Sequence, residues 1–119
     1  MVHRMGLYGE YFQSIIDGRK KVEVRLNDEK RREIQVGDYI EFVKVPEQNE
    51  TLIVKVTELR SFATFKEMYQ TIPFHEFDCE GWTMDEMIHG TYEIYTPDQE
   101  KQWGALAITI KYQPKSNGE

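Results

Sequence analysis

Alternation of apolar and charged residues marks the strands that this chain is expected to form. In the stretch 21–26, Val22, Val24 and Leu26 alternate with charged residues, which is the period of a strand with one face in a core. The other face carries Lys21, Glu23 and Arg25, and on spacing alone the pattern favours a solvated face with cross-strand ion pairs. Similar alternation predicts strands in 39–45, 52–56 and 105–112, and 3–7 is a short candidate first strand.

Helical periodicity and capping signals predict the remaining elements. Apolar residues from Tyr8 to Ile16 fall on one helical stripe, and Gly18 stands where a left-handed C-cap would end that helix. Threonines at 64, 83 and 96 are each followed three residues later by Glu or Gln, so the sequence predicts three further helix starts. About five strands with a helical insert before the last one favour a small closed or nearly closed barrel, with the last strand pairing with early ones.

The size and composition fit one folded unit. With 119 residues we expect a single domain over 1–112 and a polar C-terminal tail over 113–119. No apolar run approaches the ~20 residues that cross a bilayer, and the N-terminus has no apolar leader, so no membrane association is expected. Cys79 is the one cysteine, which fits a reducing compartment, and a cytoplasmic protein is therefore expected.

Charge is distributed unevenly along the chain. The net charge is −6, which argues against a strong, sequence-independent grip on nucleic acid. Residues 19–32, however, contain seven cations and three acids, so this segment is +4 while the rest of the chain is −10. Such segregation can concentrate an anionic ligand at one site, or it can be a basic loop without a partner, and the pattern leaves both open.

The residues at the start of the charged strand resemble a known signature. Gly18, Lys20, Glu23 and Arg25 form the pattern Gly-x-Lys-x-x-Glu-x-Arg, which resembles the signature of the ASCH domain (activating signal cointegrator homology), a PUA-like family. The preceding Ile-x-x-Gly, the Gly37-Asp38 turn, and the segments 95–100 and 103–108 resemble further pieces of that family in the same order. The resemblance implies an α+β fold: a small PUA-like β-barrel of about five to six strands, with helices before the signature strand and inserted before the last strand.

The same resemblance implies a binding function. In ASCH proteins the positions matching Lys20, Glu23 and Arg25 line a cleft inferred to bind RNA or a nucleotide. This sequence adds Lys21, and Arg25 can bind a phosphate through two parallel hydrogen bonds. Trp82 is a candidate for stacking on a base, whereas Trp103 is expected to pack in the core. We therefore predict an RNA- or nucleotide-binding module with RNA or a nucleotide as its partner.

Two alternatives remain open. Some small bacterial ASCH proteins that resemble this chain are amidohydrolases of acetylated cytidine, with a lysine matching Lys20, a threonine nucleophile at the position of Glu23, and a glutamate best matched by Glu80. The carboxylate of Glu23 cannot form an ordinary acyl-enzyme ester, although Lys20 and Glu23 could activate water for hydrolysis of a modified nucleoside or RNA. The second alternative is a protein-interaction module that uses the acidic remainder of the surface.

No metal site and no cofactor are expected. His75 and Cys79 lie four residues apart among three acids, but neither a second cysteine nor an HExxH partner accompanies them. The sequence does not identify the ligand, the reaction or the oligomeric state.

Overall fold

A computed structural model describes residues 1–114, so residues 115–119 of the expected polar tail lie outside the described residues. The described chain contains five strands and four α-helices. In chain order they are β1 (Val2–Tyr8), α1 (Gly9–Ile16), β2 (Val22–Leu26), β3 (Tyr39–Val45), β4 (Thr51–Phe62), α2 (Phe65–Thr71), α3 (Met84–Tyr92), α4 (Pro97–Trp103) and β5 (Ala105–Tyr112). Short 3₁₀ turns occupy Arg31–Glu33 and Phe74–Glu76, and no helix of residues 1–114 is long and apolar enough to cross a membrane.

The predicted helix starts are confirmed by their caps. The side chain of Thr64 accepts a hydrogen bond from the backbone N–H of Glu67 at the start of α2. Complete capping boxes begin α3, with Thr83 and Glu86, and α4, with Thr96 and Gln99. These local bonds satisfy backbone donors that a helix cannot pair internally, which is why the sequence marked the starts correctly.

The five strands form one curled sheet in the order β1-β3-β4-β5-β2. β1 and β3 are parallel and the other neighbours are antiparallel, including the expected β3–β4 hairpin. The last strand, β5, pairs with the early strand β2 as expected and also with β4. Because β1 and β2 are the two edges of the sheet, the structure is a half-barrel with a gap between these edges.

Two hydrophobic clusters lie on opposite faces of this sheet. The first fills the inside of the half-barrel and includes Phe42, Val54 and Ile108, while the second lies between the outer face of β2 and β5 and the helices. Val22 and Leu26 belong to the second cluster, with Val24 packed against it. The aliphatic face of β2 therefore packs beneath α2 and α3, and its charged face turns into the half-barrel.

The expectation of a solvated charged face on β2 is therefore wrong. Glu23 is only 5% exposed, and the guanidinium carbon of Arg25 lies 5.9 Å from the centre of the Phe42 ring inside the half-barrel. The alternation was predicted correctly, but a period of two does not reveal that both faces of a strand are covered. Here helices cover one face and the curled sheet covers the other.

Gly104, between α4 and β5, lets the chain pass close to the end of β4. Its φ of +75° is unfavourable for residues with a side chain, and a Cβ at this position would lie 2.8 Å from the carbonyl oxygen of Phe62. Gly18 also has a positive φ, of +77°, but no atom lies within 4 Å of its Cβ position. Both glycines have a positive φ, and only Gly104 also needs the missing side chain.

We expect Gly104→Ala to lower the free energy of unfolding by about 3 kcal/mol, because conformational strain adds to a backbone clash. Gly18→Ala is the matched control and should cost only about 1 kcal/mol, the cost of the conformation alone. Chemical denaturation of both variants checks the difference. Equal losses would contradict the close approach at Gly104.

Candidate functional site

A cleft of about 380 Å³ opens at the gap between the edge strands. Its walls come from residues 6–8 of β1, residues 23–25 of β2, three residues of the loop before α3 (Phe77, Cys79 and Trp82), and part of α3 with the residues that follow it to Tyr95. The walls are mostly apolar and aromatic, with a small group of charged side chains at one side. Pockets that bind small organic ligands typically combine these features.

The charged group is centred on the carboxylate of Glu23. Arg25 donates to Glu23 Oε2 from Nε at 2.9 Å and from Nη2 at 2.6 Å. Lys20 Nζ lies 3.4 Å from the other carboxylate oxygen, Oε1. One anion is thus held between two cations, and the trio carries a formal charge of +1.

Arg25 also connects the two edges of the sheet. Its Nη2 donates to the carbonyl oxygen of Gly6 on β1 at 2.9 Å, while Arg25 itself belongs to β2. β1 and β2 share no strand pairing, so this side-chain bond joins them where the sheet leaves them apart. Arg25 therefore links the two walls of the cleft and also contributes a positive charge to one side of it.

Glu23 remains ionised despite its burial. Burial alone would raise the pKa of its carboxyl group, but the charges of Arg25 and Lys20 and the hydrogen bonds from both bring the pKa below its ordinary value. A lowered pKa makes this carboxylate a weak proton acceptor. Its role in the geometry is to orient the two cations.

Lys20 reaches this group because the strand is interrupted after it. Lys20 forms an isolated bridge with Phe77, the N–H of Lys21 donates to the carbonyl oxygen of Glu76, and regular pairing of β2 begins only at Val22. Lys20 is 7% exposed, and its Nζ lies 5.2 Å from the centre of the Tyr11 ring. Lys20, and not Lys21, therefore shares the buried face with Glu23 and Arg25.

The other predicted site residues are placed unequally. Trp82 lies in the cleft wall and is 45% exposed. Lys21 and Glu80 are exposed and belong to no part of the cleft lining. The structure thus brings Lys20, Glu23, Arg25 and Trp82 to one cleft and leaves Lys21 and Glu80 outside it.

Several aromatic residues of the cleft were missed by sequence reasoning. Tyr11 falls on the apolar stripe of α1 and Tyr69 on that of α2, a position typical of core residues, yet both line the cleft. The Tyr69 hydroxyl shares a 2.7 Å hydrogen bond with Thr91, whose hydroxyl donates to the carbonyl oxygen of Met87. A tyrosine within an apolar stripe was the available signal, since its hydroxyl needs a polar neighbour when buried.

The segment carrying Phe77 and Trp82 is anchored to α1 through Asp78. Asp78 has a φ of +60°, and its Oδ2 accepts from the Ser14 hydroxyl at 2.7 Å and from Arg19 Nη1 at 2.8 Å. Cys79, the next residue, lines the cleft, and burial raises the pKa of its thiol. Within residues 1–114 no group of three or more His, Cys, Asp or Glu residues is arranged to hold a metal ion.

Comparison with known proteins places the chain in a family. A family model for the ASCH domain matches residues 5–114. The chain belongs to the ASCH domain family. Members of this family are generally RNA-binding modules, and no functionally curated protein matches the chain.

Solved ASCH-like structures share the fold. The hypothetical protein PH0355 is 35% identical with a TM-score of 0.85, over 95% of this chain and 100% of that one. Protein PF0455 from Pyrococcus furiosus is 33% identical with a TM-score of 0.77, over 97% and 100% of the two chains. The ASCH domain from Lactobacillus crispatus, 10% identical with a TM-score of 0.63 over 92% and 79%, shares the fold alone. The α+β, PUA-like barrel expected from the sequence is confirmed, here as a half-barrel.

We expect Glu23→Gln to lower the free energy of unfolding by about 3 kcal/mol at pH 7, because two buried cations are left without their counter-charge. The native pKa of Glu23 lies below its ordinary value of 4.5, so the stabilisation from its ionised form is complete above that pH. It is lost as the pH falls from 4.5 through the native pKa. The difference between parent and variant should therefore narrow below pH 4.5.

Denaturation at a series of pH values measures this difference. Glu41→Gln is the control, since Glu41 forms an ion pair with the exposed Arg4 at 3.3 Å and should cost little. A pH-independent gap between the parent and Glu23→Gln would show that the carboxylate is not held ionised by its neighbours.

Proposed function

We propose that this protein binds single-stranded RNA or a nucleotide in the cleft between β1 and β2. The observation that carries the proposal is the trio of buried Lys20, buried Glu23 and half-buried Arg25 at the side of an open, aromatic-walled cleft. The positive excess of the trio suits an anionic ligand, and the walls suit a planar base. The ASCH family, whose members generally bind RNA, supports the same class of ligand.

Donors remain available on both cations. Within residues 1–114 Glu23 is the one carboxylate in ion-pair distance of Lys20, although an ammonium group carries three N–H donors. Arg25 uses Nε and Nη2 for protein contacts, and its Nη1 makes no hydrogen bond with the described residues. These N–H groups can donate to phosphate oxygens or to the acceptor edge of a base.

Trp82 is placed to stack on a base. One of its ring carbons lies 3.9 Å from the position that a Cβ would occupy on Gly90 of α3, so the indole rests against a helix surface without a side chain. The indole remains 45% exposed at the cleft. Tyr95, by contrast, stacks on Phe65 with ring centres 5.7 Å apart, so its ring mainly forms part of the cleft wall.

The size of the cleft favours an unpaired nucleotide. A volume of about 380 Å³ lies within the range of small-ligand pockets and cannot admit a double helix. Sequence-specific RNA recognition commonly uses bases splayed from single strands. The net charge of −6 also opposes nonspecific binding along a polyanion, so recognition has to be local.

Hydrolysis and protein interaction have less support. The ionised Glu23 is held by two cations, and Glu80 is exposed and outside the cleft lining, so the Lys20, Glu23 and Glu80 set does not meet at one substrate. No particular surface of the described residues favours a protein partner over a ligand in the cleft. We therefore propose binding as the primary activity.

We expect Lys20→Ala to weaken binding of single-stranded RNA or nucleoside monophosphates by about ten-fold or more, because the substitution removes a charge-assisted hydrogen bond to the ligand. Lys21→Ala removes the same charge from the neighbouring exposed residue and should change affinity by less than about two-fold. Equilibrium binding with a mixed-sequence RNA and the four 5′-monophosphates measures both. Equal effects of the two substitutions would mean that the site is misplaced.

Trp82→Ala should also weaken RNA binding, because base–aromatic stacking contributes about 1–3 kcal/mol per base. Trp82→Phe keeps an aromatic face and should recover part of the affinity. Titration with the same RNA measures the affinity of each variant. Binding unchanged in Trp82→Ala would remove this residue from the site.

A further inference from the structure

A second hollow lies beyond the end of β2. It has a volume of about 210 Å³ and is lined by Asn27, Arg31, Arg32 and Ser61, over a base that includes Leu106 of the inner hydrophobic cluster. Two arginines, an amide and a hydroxyl at one concave place form a set of groups that can donate hydrogen bonds to phosphate oxygens. None of these residues lines the larger cleft.

The two arginines have unused donors. Arg31 Nη1 donates to Asp28 Oδ2 at 3.0 Å, but its Nε is enclosed without a hydrogen-bond partner among the described residues. Arg32 donates from Nε to the carbonyl oxygen of Asn27 at 2.8 Å, and its guanidinium carbon lies 5.7 Å from the centre of the Trp103 ring. Within residues 1–114 Arg32 forms no ion pair, so the Arg31, Arg32 and Asp28 group has an excess of one positive charge.

These contacts hold Arg32 without neutralising it. A backbone acceptor and an aromatic face fix its guanidinium group, while both terminal nitrogens stay without an acidic partner in the described chain. A buried donor without an acceptor, such as Arg31 Nε, is rare in folded proteins and often marks a place that water or a ligand completes. Half-buried Arg31 and exposed Arg32 are therefore a pair of cations that protein contacts hold in place at the hollow.

The hollow adjoins the larger cleft, because Leu106 of its lining is the β5 partner of Arg25 in the strand register. Asn27 follows β2 directly and lies two residues beyond Arg25, a distance of about 6–7 Å along an extended chain. A strand that occupies the larger cleft can therefore extend into the hollow.

We propose that the hollow at Arg31 and Arg32 binds the phosphate of a nucleotide adjoining the one held in the larger cleft. This inference rests on the proposed function and narrows it: the ligand is a single-stranded oligonucleotide rather than a free nucleoside or mononucleotide. Lys20 and Arg25 contact the first nucleotide, and Arg31 and Arg32 contact the next phosphate along the strand. Four of the seven cations of residues 19–32 (Lys20, Arg25, Arg31 and Arg32) then contact one ligand strand.

The test compares two ligands with one pair of substitutions. The Arg31→Gln, Arg32→Gln double variant should bind a mixed-sequence RNA hexanucleotide about ten-fold or more weakly, because two cationic donors to the phosphate are removed. Its affinity for the four nucleoside 5′-monophosphates should stay within about two-fold of the parent. The slope of log K against log salt for the hexanucleotide should decrease by about 0.7 for each phosphate that the variant no longer neutralises.

Controls separate this inference from the function on which it rests. Lys66→Gln, Lys111→Gln removes two exposed positive charges outside both hollows and should leave hexanucleotide binding close to that of the parent. If the double variant melts well below the parent, Arg32→Gln alone serves as the test of hexanucleotide binding. This substitution changes an exposed side chain and should cost little stability.

Two outcomes overturn the inference in different ways. If the hexanucleotide binds the arginine variants as it binds the lysine control, while Lys20→Ala still weakens binding about ten-fold or more, the second site is wrong and the proposed function stands. If the parent protein binds neither RNA nor monophosphates, the second site and the proposed function are both wrong.

Discussion

The structure depends on a carboxylate buried between two cations at the open side of a half-barrel. Glu23 alone would be costly to bury, but Arg25 and Lys20 surround it and keep it ionised. Since Arg25 also donates to Gly6, the same interaction joins the two edge strands that the sheet leaves unpaired. Stability and the proposed ligand binding therefore involve the same side chains, and the cleft exists because the sheet does not close.

The scaffold around the trio is built to keep it rigid. The aliphatic face of β2 is fixed by the outer cluster beneath α2 and α3, so its charged face has no freedom to turn outward. Asp78 fastens the 77–82 segment to α1, and Thr91 fastens Tyr69 to α3. A preorganised site loses little conformational entropy when a ligand binds, which is the general advantage of holding polar groups on packed elements.

Local signals predicted much of the fold and part of the site. The capping boxes, the β3–β4 hairpin and the signature residues were readable because each depends on neighbours close in the chain. The direction of the β2 charged face could not be predicted, since periodicity does not say which elements cover a strand. The break at Lys21, which sends Lys20 into the cleft, depends on Phe77 and Glu76 more than fifty residues away. The place of Tyr11 and Tyr69 in the cleft wall could not be predicted either, because it also depends on residues that are distant in the chain.

The most direct test of the account is a titration of the isotopically labelled protein with mixed-sequence single-stranded RNA, followed by NMR. The account predicts that the largest shift changes appear at the Arg25 side-chain Nε–H and at the amides of 6–8, 23–25 and 90–95, which border the cleft. Changes concentrated instead on the 46–50 loop or on α4, with the Arg25 signal unmoved, would contradict it.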